Sequence, residues 1–143
     1  MQRTASAVWS GGLKDGRGTI STESGALSDA QYSLSARFES GKGTNPEELI
    51  AAAHAGCFTM ALSAQLGTMN FTPQSLRTTA TLSFEKLDTV WTISKIHLDV
   101  SGRVPGISAD AFQSAAQSAK ASCPVSRVLK AEITTNASLE RAA

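Results

Sequence analysis

The chain has 143 residues, enough for one domain that buries roughly two thirds of its unfolded surface without disulfide or metal staples. Its 13 Lys+Arg against 12 Asp+Glu leave a net charge of +1, with no basic run longer than two residues, which excludes an electrostatic footprint for nucleic acid and substrate steering by bulk charge. The N-terminal stretch MQRTASAVWSGG carries no apolar secretory core, so the chain is expected in the cytoplasm, where any disulfide is transient and chemical rather than structural.

From Thr4 to Phe38 the pattern predicts three antiparallel strands. Ala7 and Trp9 begin an alternation, GGLKDGRG is a glycine-rich turn with Asp15-Gly16 as hairpin signal, Thr19 to Ser24 is rich in β-branched residues, and Tyr32, Leu34, Ala36 and Phe38 share a face at period two. On this reading Arg37 ends a strand. The polar segment SGKGTN leads into a long helix opened by Asn45 as cap, Pro46 at the first position and Glu48 at capping-box spacing. From Leu49 to Leu66 the helix is nearly free of charge and dense in Ala, so it can be approached closely from all sides, which predicts a central, buried core helix. His54, Thr59, Ser63 and Gln65 interrupt its apolar run, and a membrane span needs about 20 predominantly apolar residues, so no membrane role is expected.

Leu76 to Leu87 and Val90 to Val100 predict a hairpin turning at Asp88-Thr89. Ser108 caps a helix from Ala109 to about Ser122, whose small residues Ala111, Ala115 and Ala119 suit close packing on another helix. Cys123-Pro124 interrupts it, VSRVLKA forms a short helical turn, and a strand runs from Glu132 to Leu139. The order predicts a single α+β domain over residues 1–143, with antiparallel sheets and the helices on one side.

The two cysteines, Cys57 and Cys123, belong to no CxxC pair, which argues against structural zinc and a thioredoxin-like site. Cys57 lies mid-helix, where apolar surroundings raise a thiol pKa unless a cation is supplied; Cys123 precedes a helix N-terminus, whose amides favour a thiolate. Two small core cysteines would satisfy composition equally well. His54, one turn before Cys57, reads as a base, a metal ligand or, by preference, a packed histidine; His97 sits mid-strand without evident partner. Glu47 and Glu48 suit the helix dipole, and a first-turn carboxylate is also able to orient an arginine from elsewhere; Arg37, at a strand end before the helix, reads by preference as a solvated strand end.

Six segments together resemble one family: TISTESG (Thr19 to Gly25), RFE (Arg37 to Glu39), KGTNPEELIAAAHAGCF (Lys42 to Phe58), FTP (Phe71 to Pro73), VPGI (Val104 to Ile107) and CPVSRVLKAEI (Cys123 to Ile133). The chain resembles the OsmC/Ohr family of thiol-dependent peroxidases, in its osmotically inducible protein C (OsmC) branch. The resemblance implies that Cys57 is the peroxidatic and Cys123 the resolving cysteine, that Arg37 stabilises the reactive thiolate, and that Glu47 orients Arg37. It also implies an intertwined homodimer, a hydroperoxide substrate, no cofactor or metal, and an external dithiol reductant, such as one of lipoyl type, in oxidative or osmotic stress defence. In the Ohr branch the arginine comes from the glycine-rich first turn; this chain has Leu13-Lys14 there and retains Arg37, with Arg17 a weaker substitute. An apolar pocket lined by the Ala-rich helix, Phe58 and Met60 would favour organic peroxides. The competing readings are a noncatalytic protein holding a small hydrophobic ligand, an acyl hydrolase using Cys57 with His54 as base, and a redox-regulated partner-binding protein.

Overall fold

The computed structural model describes residues 1–141. The chain divides into two compact units, Met1–Leu49 and Ile50–Ala143. In the first, β1 (Ala5–Ser10), β2 (Arg17–Thr22) and β3 (Ala30–Tyr32) form an antiparallel sheet in that order. Register runs from Ala5 opposite Thr22 to Ser10 opposite Arg17, closed by a turn in which Gly16 N–H donates to the Gly12 carbonyl at 2.7 Å. Gly18 faces Trp9 and Tyr32, and any Cβ there would run into both rings. With hydrogen in its place, the rings close to 5.4 Å between centroids.

The chain then departs from the expected strand. Ser33 accepts a hydrogen bond from Ala36 N–H at 3.2 Å and opens a one-turn helix, α1 (Leu34–Phe38). Alternation over so few residues fits a helical turn as well as a strand, and the serine cap decides it. Arg37 therefore leaves from a helix's last turn, not a strand end. Asn45 joins α1 to the start of α2 (Pro46–Thr68): its Oδ1 accepts from Glu48 N–H at 2.8 Å while its Nδ2 donates to the Ala36 carbonyl at 3.0 Å. The Glu48 carboxylate accepts from the Thr44 hydroxyl at 2.7 Å, so the capping half of the predicted box is present with a different return partner.

The second unit holds most of α2 and a second sheet. β4 (Ser75–Leu87) and β5 (Val90–Arg103) pair antiparallel across a turn where Asp88 takes φ +55°. α3 (Ala109–Ser122), capped by Ser108, and α4 (Pro124–Val128) then carry the chain to β6 (Glu132–Leu139), which lies beside β5. Here the sheet is mixed. β6 runs parallel to β5, Lys95 opposite Glu132 and Gly102 opposite Leu139, because a helical crossover can return a strand in the same direction where a tight turn cannot. α3 packs on this strand, Gln117 Nε2 donating to Thr135 Oγ1 at 3.0 Å. The core unites Phe58, Leu62 and Leu66 of α2, the alternating Ile96, Leu98 and Val100 of β5, and Phe112, Ala115, Ala116 and Ala119 of α3.

Within this chain α2 is buried along one stripe only. His54, Phe58, Leu62 and Leu66, four residues apart, are fully covered, while Ala53, Gly56, Met60, Ala64 and Gly67 on the opposite face are exposed, Met60 at 77%. The core helix is thus covered by its own chain on one face: apolar composition shows that a face can be covered, not that its own chain covers it. Among the described residues α2 is the one helix with the length and apolarity of a membrane span, yet its buried stripe belongs to the core. Leu62→Ala is expected to lower unfolding free energy by about 2–5 kcal/mol, and Asn45→Ala by about 1 kcal/mol through the lost cap, each read from urea denaturation.

Candidate active site

Cys57 is half-buried on the flank of α2's core stripe; Cys123 is fully buried where α3 ends and α4 begins. Cys123 closes one helix and opens the next. Its N–H donates to the Ala119 carbonyl at 2.9 Å, its carbonyl accepts from Arg127 N–H at 3.0 Å, and Pro124 sits where a helix needs no amide proton. The two Sγ atoms lie 3.1 Å apart, in S–H···S contact. A disulfide bond is about 2.05 Å long, so this dithiol is assembled to within about 1 Å of closure.

The two thiols are electrostatically unlike. Burial pushes the Cys57 thiol above its ordinary value, and the neighbouring Cys123 adds to this against a backbone N–H from Val125. At Cys123 burial alone would raise the value, but the Ser126 N–H, the Cys57 thiol, the Ser126 hydroxyl and the Val125 N–H outweigh it and hold the thiol below the ordinary range. Helix-start amides thus favour the anion at Cys123, as its place before Pro124 suggests, and Cys57 lacks comparable support within its own unit.

His54 does not serve Cys57. Its fully buried ring pairs through Nε2 with Ser126 Oγ at 2.7 Å, its Nδ1 has no hydrogen-bond partner among the described residues, and burial lowers its pKa. An acyl-transfer reading with His54 as base for Cys57 loses its geometry. Ser126 was not singled out from the sequence, although its position three residues after Cys123 at a helix start was a signal for it. His97 is structural, Nδ1 lying 2.6 Å from Thr134 Oγ1 across the β5–β6 pair.

In the first unit Arg37 and Glu47 form a forked ion pair. Nε lies 3.0 and 3.1 Å from the two carboxylate oxygens and Nη2 2.6 Å from Oε1. Glu47 is nearly buried, with 11% of its side chain exposed, and stands in the first turn of α2, whose dipole favours its charge. The guanidinium lies 5.5 Å from the Phe38 ring centroid. Arg37 also lines a cavity of about 270 Å³ whose other walls are Trp9, Leu13, Tyr32, Ser33, Leu34 and Pro46. The pocket expected around Phe58 and Met60 is not formed by those two residues, since Phe58 is in the core and Met60 on the opposite, exposed face. Arg17 is exposed at the start of β2.

The model of the family described as OsmC-like protein matches residues 39–138. Peroxiredoxin OsmC of Escherichia coli K12 is 53% identical over 140 residues, 98% of each chain. Among solved structures, an OsmC-like protein of unknown function from Vibrio cholerae matches with TM-score 0.78 at 15% identity over 96% of this chain and 99% of that one. The organic hydroperoxide resistance protein OhrB of Bacillus subtilis matches with TM-score 0.68 at 25% identity, covering 96% and 98%.

In the reduced protein, thiolate absorbance near 240 nm should show a first step below the ordinary thiol range from Cys123. Cys123→Ser should abolish that step and lower the pH at which Cys57 titrates, because it removes a neighbour that disfavours the Cys57 anion.

Proposed function

This chain belongs to the OsmC-like protein family and is a cysteine-based peroxidase; we propose that it reduces organic hydroperoxides, and hydrogen peroxide as well, through a two-cysteine cycle. The Cys57 thiolate attacks the distal peroxide oxygen, the O–O bond breaks, and alcohol leaves on taking a proton, which puts Cys57 at the sulfenic acid level. Cys123 then attacks the Cys57 sulfur, the S–O bond breaks, water leaves, and the disulfide forms. An external dithiol, of lipoyl type in our reading, restores both thiols. The observation that carries this cycle is the 3.1 Å approach of two sulfurs from distant parts of the chain.

Cys57 is disfavoured as an anion by burial, so its role requires a cation. We assign that cation to Arg37, with Glu47 holding the guanidinium in a fixed plane so that its remaining N–H groups face thiolate and leaving oxygen. The fork geometry supports this assignment. The predominantly apolar cavity beside Arg37 supports an organic substituent on the peroxide. We further propose that the two units act as one domain and that the chain works as an intertwined homodimer. Gly56 and Gly67 each cost about 1 kcal/mol relative to Ala within a helix, and both open onto empty space on the exposed apolar face of α2. A second copy fits that face. A dithiol resting state suits the reducing cytoplasm, and peroxide removal suits defence in oxidative or osmotic stress.

With tert-butyl or cumene hydroperoxide and dithiothreitol, wild type should consume peroxide, Cys57→Ser should not, and Cys123→Ser should stall after one turnover or overoxidise. A Cys57→Ser variant as active as wild type would favour the noncatalytic ligand-binding reading. Arg37→Lys, which keeps charge but loses the fork, should lower kcat/KM by about 100-fold. Sedimentation should give twice the 14.9 kDa chain mass for wild type, and Met60→Glu should shift it toward monomer.

A further inference from the structure

The cycle makes no use of His54, although it is the only polar member of a buried stripe otherwise made of Phe58, Leu62 and Leu66. Keeping an imidazole there with one unpartnered nitrogen costs free energy that a leucine would not, so its second nitrogen has to return something. That nitrogen, Nε2, lies 2.7 Å from Ser126 Oγ, and Ser126 stands three residues after Cys123 in the first turn of α4, where its hydroxyl and N–H favour the Cys123 thiolate. The hydrogen-bonded His54–Ser126 pair and the Cys57 sulfur, 3.1 Å from that of Cys123, are therefore the polar side chains set about the Cys123 thiol.

We propose that His54 and Ser126 are positioning residues for Cys123: Ser126, oriented by His54 Nε2–H, donates its hydroxyl proton to the Cys123 sulfur and readies it both to attack oxidised Cys57 and to leave when the disulfide is reopened. The tautomer follows from satisfaction of the ring. With the proton on Nε2, Nδ1 is a bare lone pair; with it on Nδ1, an N–H donor would be stranded in the core and the Ser126 proton would point back at the ring. Burial keeps the ring neutral, so no charge competes for the sulfur. The groups facing Cys123 are the Cys57 thiol and, through Ser126, His54 from α2, and the Val125 and Ser126 amides of α4. Of the nearby cations, Lys120 on α3 reaches to the Ile133 carbonyl and Arg127 on α4 is exposed.

In resolution the electron pair of the Cys123 thiolate forms the S–S bond, the S–O bond of Cys57 breaks, and the departing hydroxide takes a proton from solvent. In reduction the external thiolate attacks Cys57, the accessible sulfur of the pair, and the S–S electron pair returns to Cys123 under the Ser126 proton. This assignment rests on the peroxidase reading for its place in the cycle, but its physical core can be measured without peroxide.

In a Cys57→Ser background, the thiolate titration of Cys123 should move up by about one pH unit in Ser126→Ala, the loss of one hydrogen bond to the anion. His54→Leu should move it the same way, and His54→Gln, which retains a side-chain N–H donor, should recover part of the shift. With Cys57 present, the ratio of disulfide formation to sulfenic acid formation after a cumene hydroperoxide pulse should fall about tenfold at pH 7 in Ser126→Ala and recover at alkaline pH. Superimposable titration curves for Ser126→Ala and its parent would overturn the assignment whether or not Cys57 reacts with peroxide, as would a resolution defect that alkaline pH does not relieve.

Discussion

The chemistry depends on one packing constraint, the seating of α2's covered stripe in the same core as α3 and its junction with α4. Phe58, Leu62 and Leu66 share their surroundings with Ala115, Ala116 and Ala119, and small residues on α3 leave room for larger ones on α2. This brings Cys57 and Cys123 to 3.1 Å without a covalent link. Because the core holds the helices, the thiols can be oxidised and reduced with sulfur movements of about 1 Å rather than refolding.

The same arrangement gives the two sulfurs unlike surroundings. Cys123 is sealed from solvent and faces the amides of a helix start, so its anion is stabilised and it makes a good leaving group. Cys57 is half-exposed, and its anion is unsupported within its unit. In the first unit, by contrast, a carboxylate holds the Arg37 guanidinium in a fixed position. A free arginine would lose side-chain entropy at each encounter; one clamped by Glu47 has already lost it.

Long, strongly patterned elements were legible in the chain. The capped helix at Asn45, the hairpin around Asp88 and the Ser108 cap all occur where local rules put them, since each depends on hydrogen bonds or alternation within a few residues. Short or non-local features were not. The segment after Ser33 satisfied strand and helix patterns alike, and the parallel partner of β5 came from a strand whose direction depends on the whole crossover. His54 illustrates the limit within the site: its spacing suggested Cys57, but a helix turn brings near on the surface what a packed core can aim elsewhere, and the ring points to Ser126.

The sequence by itself determined the helix carrying Cys57, the helix break that exposes amides to Cys123, the acidic first turn at Glu47 and the family to which these segments belong, because caps, breakers and motif residues act locally. Only the tertiary structure decided that the two sulfurs meet, that His54 turns to Ser126, that Arg37 rises from a helical turn to grip Glu47, and that one face of α2 is left uncovered. Those outcomes depend on which apolar surfaces find each other across the fold, and burial is a property of the assembled core that no window of sequence contains.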